Sequence, residues 1–298
     1  MNLSDYRSGT HEQQREYRSF LPSPIHHPWL IDDPRVLALL GQADRALGQL
    51  DAFAQLVPDI DFFIRMYVAK EATQSSRIEG TQTNIEDAFK DAADLSPEVQ
   101  DDWGEVQNYI GAINFAIDGL RTLPLSNRLL RDTHAILLQG VRGQNKRPGE
   151  FRVSQNWIGV SLKNAAFVPP HHDHVPDLMG DLEKFLHAPA ELAPPLIRIA
   201  IAHYQFETIH PFLDGNGRLG RLMISLYLAS EGLLSKPALY LSDYFERNKT
   251  AYVDHLMAVR DGHHMRDWLI FFLHGVEETA LICPPLSGPE TMIVWTMK

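Results

Sequence analysis

Cysteine is nearly absent from this chain: among 298 residues only Cys283 is present, which excludes an intrachain disulfide and any cysteine cage for a metal. That scarcity fits a reducing compartment. Long apolar runs are missing as well. The longest, 222–229 and 268–273, fall far short of the roughly 18 residues a membrane span needs. The polar N-terminus, followed by Glu12-Gln-Gln-Arg-Glu16, lacks the charged start and apolar middle of a secretory signal. These absences predict a cytoplasmic protein with no membrane partner. Positive charge is in the minority, with 27 Lys and Arg against 38 Asp and Glu and a formal net charge of −11. Such a balance argues against a surface built to grip phosphate backbones, so nucleic acid is not an expected partner, while a local basic pocket for a nucleotide stays compatible. Internal repeats and low-complexity tracts are also lacking.

What is there is helical patterning. Phe62, Phe63, Met66 and Tyr67, then Ala69 and Lys70, recur at helical spacing, as do Leu219, Leu222, Met223, Leu226 and Tyr227. Further helices are expected at 34–56, 102–119, 126–139, 175–187, 195–208 and 265–280, with prolines between them ending one helix and starting the next. An all-α, mainly helical fold follows. The exception is 147–170, where two strand-like stretches flank the turn-like Ser161-Leu-Lys163 and predict a short β-hairpin over 151–168. The first 30 residues, with three prolines and paired histidines, read as an extended arm. The stretch beyond Cys283 reads as a Pro-rich tail, and neither end offers chemistry.

The chemistry concentrates in His210-Pro-Phe-Leu-Asp-Gly-Asn-Gly-Arg-Leu-Gly-Arg221. Asp214-Gly-Asn-Gly-Arg218 stands directly before an amphipathic helix, so its glycines let backbone amides converge at a helix N-terminus, which attracts an anion. Arg218 and Arg221 are neighbours on the first turn of that helix, where they repel each other and oppose the positive end of the dipole. Something negative should sit there, and a polyphosphate satisfies two guanidinium forks better than one carboxylate. Asp214 beside phosphate calls for a hard bridging cation, Mg2+ by preference. His210, with a near-neutral pKa, is the candidate general base. Gly215-Asn-Gly217-Arg-Leu-Gly220 formally matches the dinucleotide pattern G-x-G-x-x-G, but it follows a helix rather than a strand, and no alternating sheet surrounds it.

This motif, His210-x-Phe212-x-Asp214-Gly-Asn-Gly-Arg218-x-x-Arg221, resembles the complete signature of the Fic (filamentation induced by cAMP) family, and the resemblance extends over roughly residues 30–280. It implies a Fic-fold helical bundle with a β-hairpin flap: an N-terminal helical region at 31–120 and a catalytic domain at 121–280, flanked by the arm 1–30 and the tail 281–298. It further implies a protein adenylyltransferase (AMPylator) that moves AMP from ATP onto a Ser, Thr or Tyr hydroxyl of a target protein or of itself. In that role His210 deprotonates the hydroxyl, Asp214 holds Mg2+, and Asn216 and Arg218 complete the catalytic set. Gly215, Asn216, Gly217, Arg218, Leu219, Gly220 and Arg221 would cradle the phosphates, with Val168 on the flap and Tyr252 on a downstream helix beside the nucleotide. The flap's strand edge would align the target segment.

Upstream, Ser75-Ser-Arg-Ile-Glu79-Gly80 resembles the family's inhibitory motif. By spacing alone, Glu79 precedes a glycine able to end a helix, which puts a carboxylate at the dipole's negative end in need of a cation. The resemblance supplies Arg221 as that cation, so Ser75, Glu79 and Gly80 are expected to hold the enzyme inhibited. Removal of AMP by the same site, transfer of phosphocholine or phosphate on the same scaffold, and a non-catalytic nucleotide sensor or antitoxin module are the alternatives. A homodimer stays open. His171-His172-Asp173-His174 reads as a solvated loop after the flap, because adjacent loop residues rarely converge on one ion.

Overall fold

Aspartate and proline set helix starts where the sequence announces them. Helix α1 (Pro34–Leu56) begins behind Asp33, whose carboxylate accepts the N–H groups of Arg35 and Val36, with Pro34 in the first turn where no donor is needed. Its bounds are those expected from apolar spacing. The structure, a computed structural model, describes residues 1–57 and 59–282. Cys283 and the expected tail, apart from 281–282, lie outside the described residues. Nine more helices follow within them: α2 (Ile60–Ile78), α3 (Pro97–Gly119), α4 (Asn127–Leu137), α5 (Val175–Leu186), α6 (Pro195–Ile209), α7 (Asn216–Ser230), α8 (Ser242–Arg247), α9 (Lys249–Gly262) and α10 (Met265–Leu281).

Helix α6 is buried from Leu196 to Ile209, on every face. A helix buried all round belongs at the centre of a bundle. It packs on α5, α7, α10 and α1, and α2 with α3 closes over α7 from the other side. Burial there forces its polar groups into pairs: Trp268 Nε1 donates to the Ala200 carbonyl at 2.8 Å, and His203 links the Gly220 carbonyl to the Tyr252 hydroxyl, each at 2.9 Å. Glu71 pins α2 inside the bundle, accepting Ser242 Oγ at 2.6 Å and the Tyr109 hydroxyl at 3.1 Å.

Three expectations are corrected. The first 30 residues are no free arm: β1 (Gly9–Gln13) and β2 (Arg18–Pro22) form an antiparallel hairpin, and Tyr6, Phe20, Ile25 and Trp29 are buried against the body. Each of these apolar side chains needs a partner surface, which a solvated arm lacks. The flap is shorter than 151–168 because β3 (Ile158–Gly159) pairs only with β4 (Ala165–Phe167), with a bulge at Ile158 and Gly159. Arg152 and Asn156 of the expected strand instead bond the α6–α7 loop described below. The segment around Tyr252 is two helices, α8 and α9, broken at Asn248. Phe20 N–H donates to the Val168 carbonyl at 2.9 Å, so the N-terminal hairpin abuts the end of the flap.

Trp29 is 4% exposed, and its Nε1 donates to the Ile25 carbonyl at 3.1 Å. Trp29→Ala is therefore expected to destabilise the chain by about 3–5 kcal/mol in urea unfolding. A loss near zero would mean that the N-terminal hairpin stands outside the cooperative core.

Candidate functional site

Helices α6 and α7 are joined by a loop that enters and leaves through left-handed residues. His210 caps α6 at φ 50° and Gly215 precedes α7 at φ 75°. A left-handed non-glycine residue costs roughly 1–2 kcal/mol, so the surroundings must hold His210 in place. They do so by binding backbone carbonyls. Arg152, itself buried, donates from Nε to His210 O at 2.9 Å and from Nη2 to Pro170 O at 2.6 Å. Asn156 donates to Phe212 O at 2.8 Å, and Asn216 closes the loop on itself through the N–H and C=O of Phe212 at 2.8 and 2.9 Å. His134 of α4 stacks on the Phe212 ring, centroids 3.8 Å apart. Its Nδ1 accepts Gly149 N–H at 2.8 Å, which leaves Nε2 to donate to Asp214 O at 2.9 Å.

The loop delivers the N-terminus of α7 with no side chain capping it. Open first-turn amides form an anion site. In this structure the anion beside it is the Glu79 carboxylate. Helix α2 ends in a paired C-terminal motif: Gly80 N–H bonds Arg77 O at 3.0 Å, Thr81 N–H bonds Ser76 O at 3.2 Å, and Gly80 takes φ 104°. That ending aims Glu79 across at α7, where Oε1 accepts Arg221 Nη2 at 2.7 Å. Ser75 completes the clamp, its hydroxyl accepting Arg221 Nε and its carbonyl accepting Nη2, both at 2.9 Å. A Cβ on Gly217 would run into Glu79 Oε1. Gly217 thus makes room for a carboxylate above the helix start.

Arg218 is paired as well. Its Nη1 donates to Glu105 Oε2 of α3 at 2.9 Å, with both side chains almost fully buried, and Arg142 approaches the other Glu105 oxygen at 3.2 Å. Asp214 Oδ1 lies 3.8 Å from Arg218 and accepts Gly215 N–H at 2.6 Å. The two cations expected to require a polyphosphate are each neutralised by a carboxylate from the N-terminal helices.

Charge states follow. Burial works against the Glu79 carboxylate, but Arg221, with Arg218 and His210, outweighs it and holds its pKa below the ordinary value. His210 moves the opposite way from the near-neutral expectation: burial first, then Arg260 and Arg152, push it down to about 4. Its Nδ1 is buried and unpartnered, which leaves Nε2 as the open nitrogen. Glu207, packed against Gly220 with one oxygen unpartnered, is pushed up to about 7 by burial.

The structure therefore brings His210, Asp214, Gly215, Asn216, Gly217, Arg218, Arg221, Ser75, Glu79 and Gly80 to one place. It sets others apart. Leu219 is 0% exposed and faces the core, and its N–H is used by the Gly215 carbonyl at 3.1 Å. Gly220 faces Glu207 and Phe206. Tyr252, expected against a base, is 3% exposed, stacked on Phe245 at 4.5 Å and bonded to His203. Helical period explains Leu219 and Gly220, since positions 217, 218 and 221 face the loop and Glu79 while 219 and 220 turn inward. Val168 offers β2 its carbonyl. Residues missed in the sequence are Glu105, His134, Arg152 and Asn156. None belongs to a local pattern, and each reaches the loop from a distant segment.

The comparisons agree on a family. The model of the Fic/DOC family N-terminal region matches residues 37–118 and that of the Fic/DOC family matches 124–228, so together they span well over half of the chain. The chain belongs to the Fic/DOC family. It is 33% identical over 132 residues to the protein adenylyltransferase Fic of Aedes aegypti, a match covering 44% of this chain and 24% of that protein. To protein adenylyltransferase fic-1 of Caenorhabditis elegans it is 34% identical over 85 residues, 28% of this chain and 16% of the relative. The match thus spans about a quarter or less of these relatives' length. Among solved structures, a Fic family protein from Desulfovibrio desulfuricans superposes with a TM-score of 0.69 at 23% identity, covering 85% of this chain and 75% of its own. Fic-1 from C. elegans gives 0.64 at 21%, covering 83% and 72%. The fold is shared with both. No helix among the described residues is long and apolar enough to cross a membrane.

Removing the Glu105 carboxylate strands a buried guanidinium. Glu105→Ala should cost on the order of 3–5 kcal/mol in chemical denaturation, and Glu105→Gln less because an acceptor remains. Equal, near-zero losses would show that Arg218 does not depend on this partner.

Proposed function

We propose that the chain is a protein adenylyltransferase that moves AMP from ATP to a hydroxyl side chain of a protein and is held inactive by Glu79. The observation that carries this reading is the Glu79 carboxylate on Arg221 at the open start of α7. A carboxylate there mimics one phosphate and blocks it. Membership of a family whose relatives are named adenylyltransferases supports the activity.

With Glu79 withdrawn, Arg221 is freed for the terminal phosphate, Arg218 stays on Glu105 beside it, and the first-turn amides of α7 face the phosphates. The target hydroxyl lies under His210 Nε2, which accepts its proton as the oxygen attacks the α-phosphorus. The bond from that phosphorus to the bridging oxygen breaks, and pyrophosphate leaves on the arginine side. Arg152, Asn156 and His134 hold the loop carbonyls so that His210 needs no reorganisation. Asp214 suits Mg2+: its Oδ1 is bonded to Gly215 N–H, its Oδ2 carries no hydrogen bond, and the side chain is about one-third exposed. Magnesium bound there would neutralise charge developing on the phosphates. The single cysteine and the ATP requirement fit a cytoplasmic setting.

Incubation with Mg2+ and ATP labelled at the α-phosphate, read by intact mass, tests the reading. Glu79→Gly should raise transfer by a factor on the order of ten or more, equivalent to about 1.4 kcal/mol. Adding His210→Ala should lower it by about 10²–10⁴-fold. No AMP on the chain or on lysate proteins, with nucleotide still bound, would remove the transfer reading.

The pH profile separates the site's His210 from an ordinary histidine. A base works when unprotonated, so a pKa held near 4 by burial leaves the Glu79→Gly rate flat from neutral pH down to the low fives, falling only as pH drops toward 4. Half-loss at the ordinary 6.5 would contradict the burial argument.

A further inference from the structure

The turn that leads from the flap into α5 folds three polar side chains into one point. His171 Nδ1 lies 3.2 Å from Asp173 Oδ2, and His172 Nε2 lies 3.6 Å from Asp173 Oδ1. One ligand atom from each of the three falls within 4.8 Å of the others. The loop reading expected no such convergence. It occurs because residues 172–174 form a tight 3₁₀ turn, which brings the two imidazoles together with centroids 4.1 Å apart and leaves the carboxylate between them.

Bonds of about 2.0–2.1 Å to a tetrahedral ion place neighbouring ligand atoms roughly 3.4 Å apart, so three groups whose ligand atoms already lie within 4.8 Å of one another need only small side-chain rotations to close on one ion. His171 Nδ1 points into the turn, 3.5 Å from the Asp173 backbone N–H and 3.2 Å from its carboxylate. His171 and His172 side chains are 27% and 28% exposed and Asp173 is 77% exposed, which leaves solvent access and a fourth position for water.

We propose that His171, His172 and Asp173 form a binding site for one zinc ion, or a transition cation of the same nitrogen-seeking class, separate from the Asp214 site. Two imidazoles and a carboxylate favour zinc over magnesium, which prefers oxygen ligands alone. The location gives the ion a structural lever. Arg152 holds Pro170 O, next to His171, with the same guanidinium that holds His210 O. On the far side, His174 Nε2 meets Glu12 Oε2 of β1 at 3.2 Å. An ion here would stiffen the turn that follows Pro170, whose carbonyl shares the Arg152 guanidinium with that of His210.

Calorimetric titration of the full chain with ZnCl2 in the presence of excess Mg2+ tests the site without reference to catalysis. One Zn2+ per chain is expected, with binding weakened about 10–100-fold by His172→Ala and by Asp173→Asn, and unchanged by His26→Ala, an exposed histidine elsewhere. Both substitutions sit at a solvent-accessible turn, so thermal unfolding without metal should match the unsubstituted chain. Absence of stoichiometric binding, or binding that survives both cluster substitutions, overturns the proposal.

Discussion

Two guanidinium groups buried at the positive end of one helix are the constraint around which the molecule is arranged. Arg218 and Arg221 stand one turn apart on α7, each almost fully buried, beside open backbone amides. Like charges in that position are unfavourable in isolation and gain further cost from desolvation. The chain offsets this with two carboxylates from the N-terminal helices, Glu79 at the end of α2 and Glu105 within α3. The packing of α2 and α3 over α7 is therefore also an electrostatic pairing.

The two pairs differ in how easily they part. Glu105 is 4% exposed, sits mid-helix and has Arg142 as a second partner. Glu79 is 36% exposed and stands on a helix terminus that Gly80 bends away. On the proposed reading a phosphate displaces Glu79 from the exposed end of α2, whereas Glu105 lies buried between α3 and α7. Ser75 adds two further oxygens on Arg221, its hydroxyl and its carbonyl. On this account Arg221 is the switchable cation and Arg218 the fixed one.

Much of the helical frame was legible in the sequence because apolar period and proline punctuation are local: α1 falls at 34–56 and α6 begins at Pro195. The glycine loop and the Glu79-Gly80 helix end were legible for the same reason. What depended on distant partners was not. The first 30 residues lack a helical period, and only their burial against the body makes them a hairpin. Residues 151–157 look like a strand, but Arg152 and Asn156 bind the α6–α7 loop instead of a neighbouring strand. Glu105 carries no local signal, and its partner Arg218 is met only where α3 packs on α7. The low pKa of His210 and the core placement of Tyr252 both arise from burial, which composition and spacing do not encode.

The central claim is that Glu79 takes the place of one phosphate, the terminal one, and leaves the rest of the nucleotide site intact. Calorimetric affinities of Mg2+-ATP and ADP for the unsubstituted chain and for Glu79→Gln measure this directly, since Glu79→Gln keeps the side-chain shape and removes the charge opposing the phosphate. The account predicts that Glu79→Gln strengthens ATP binding while ADP binding stays nearly unchanged. An equal gain for both nucleotides, or a gain for neither, would contradict it.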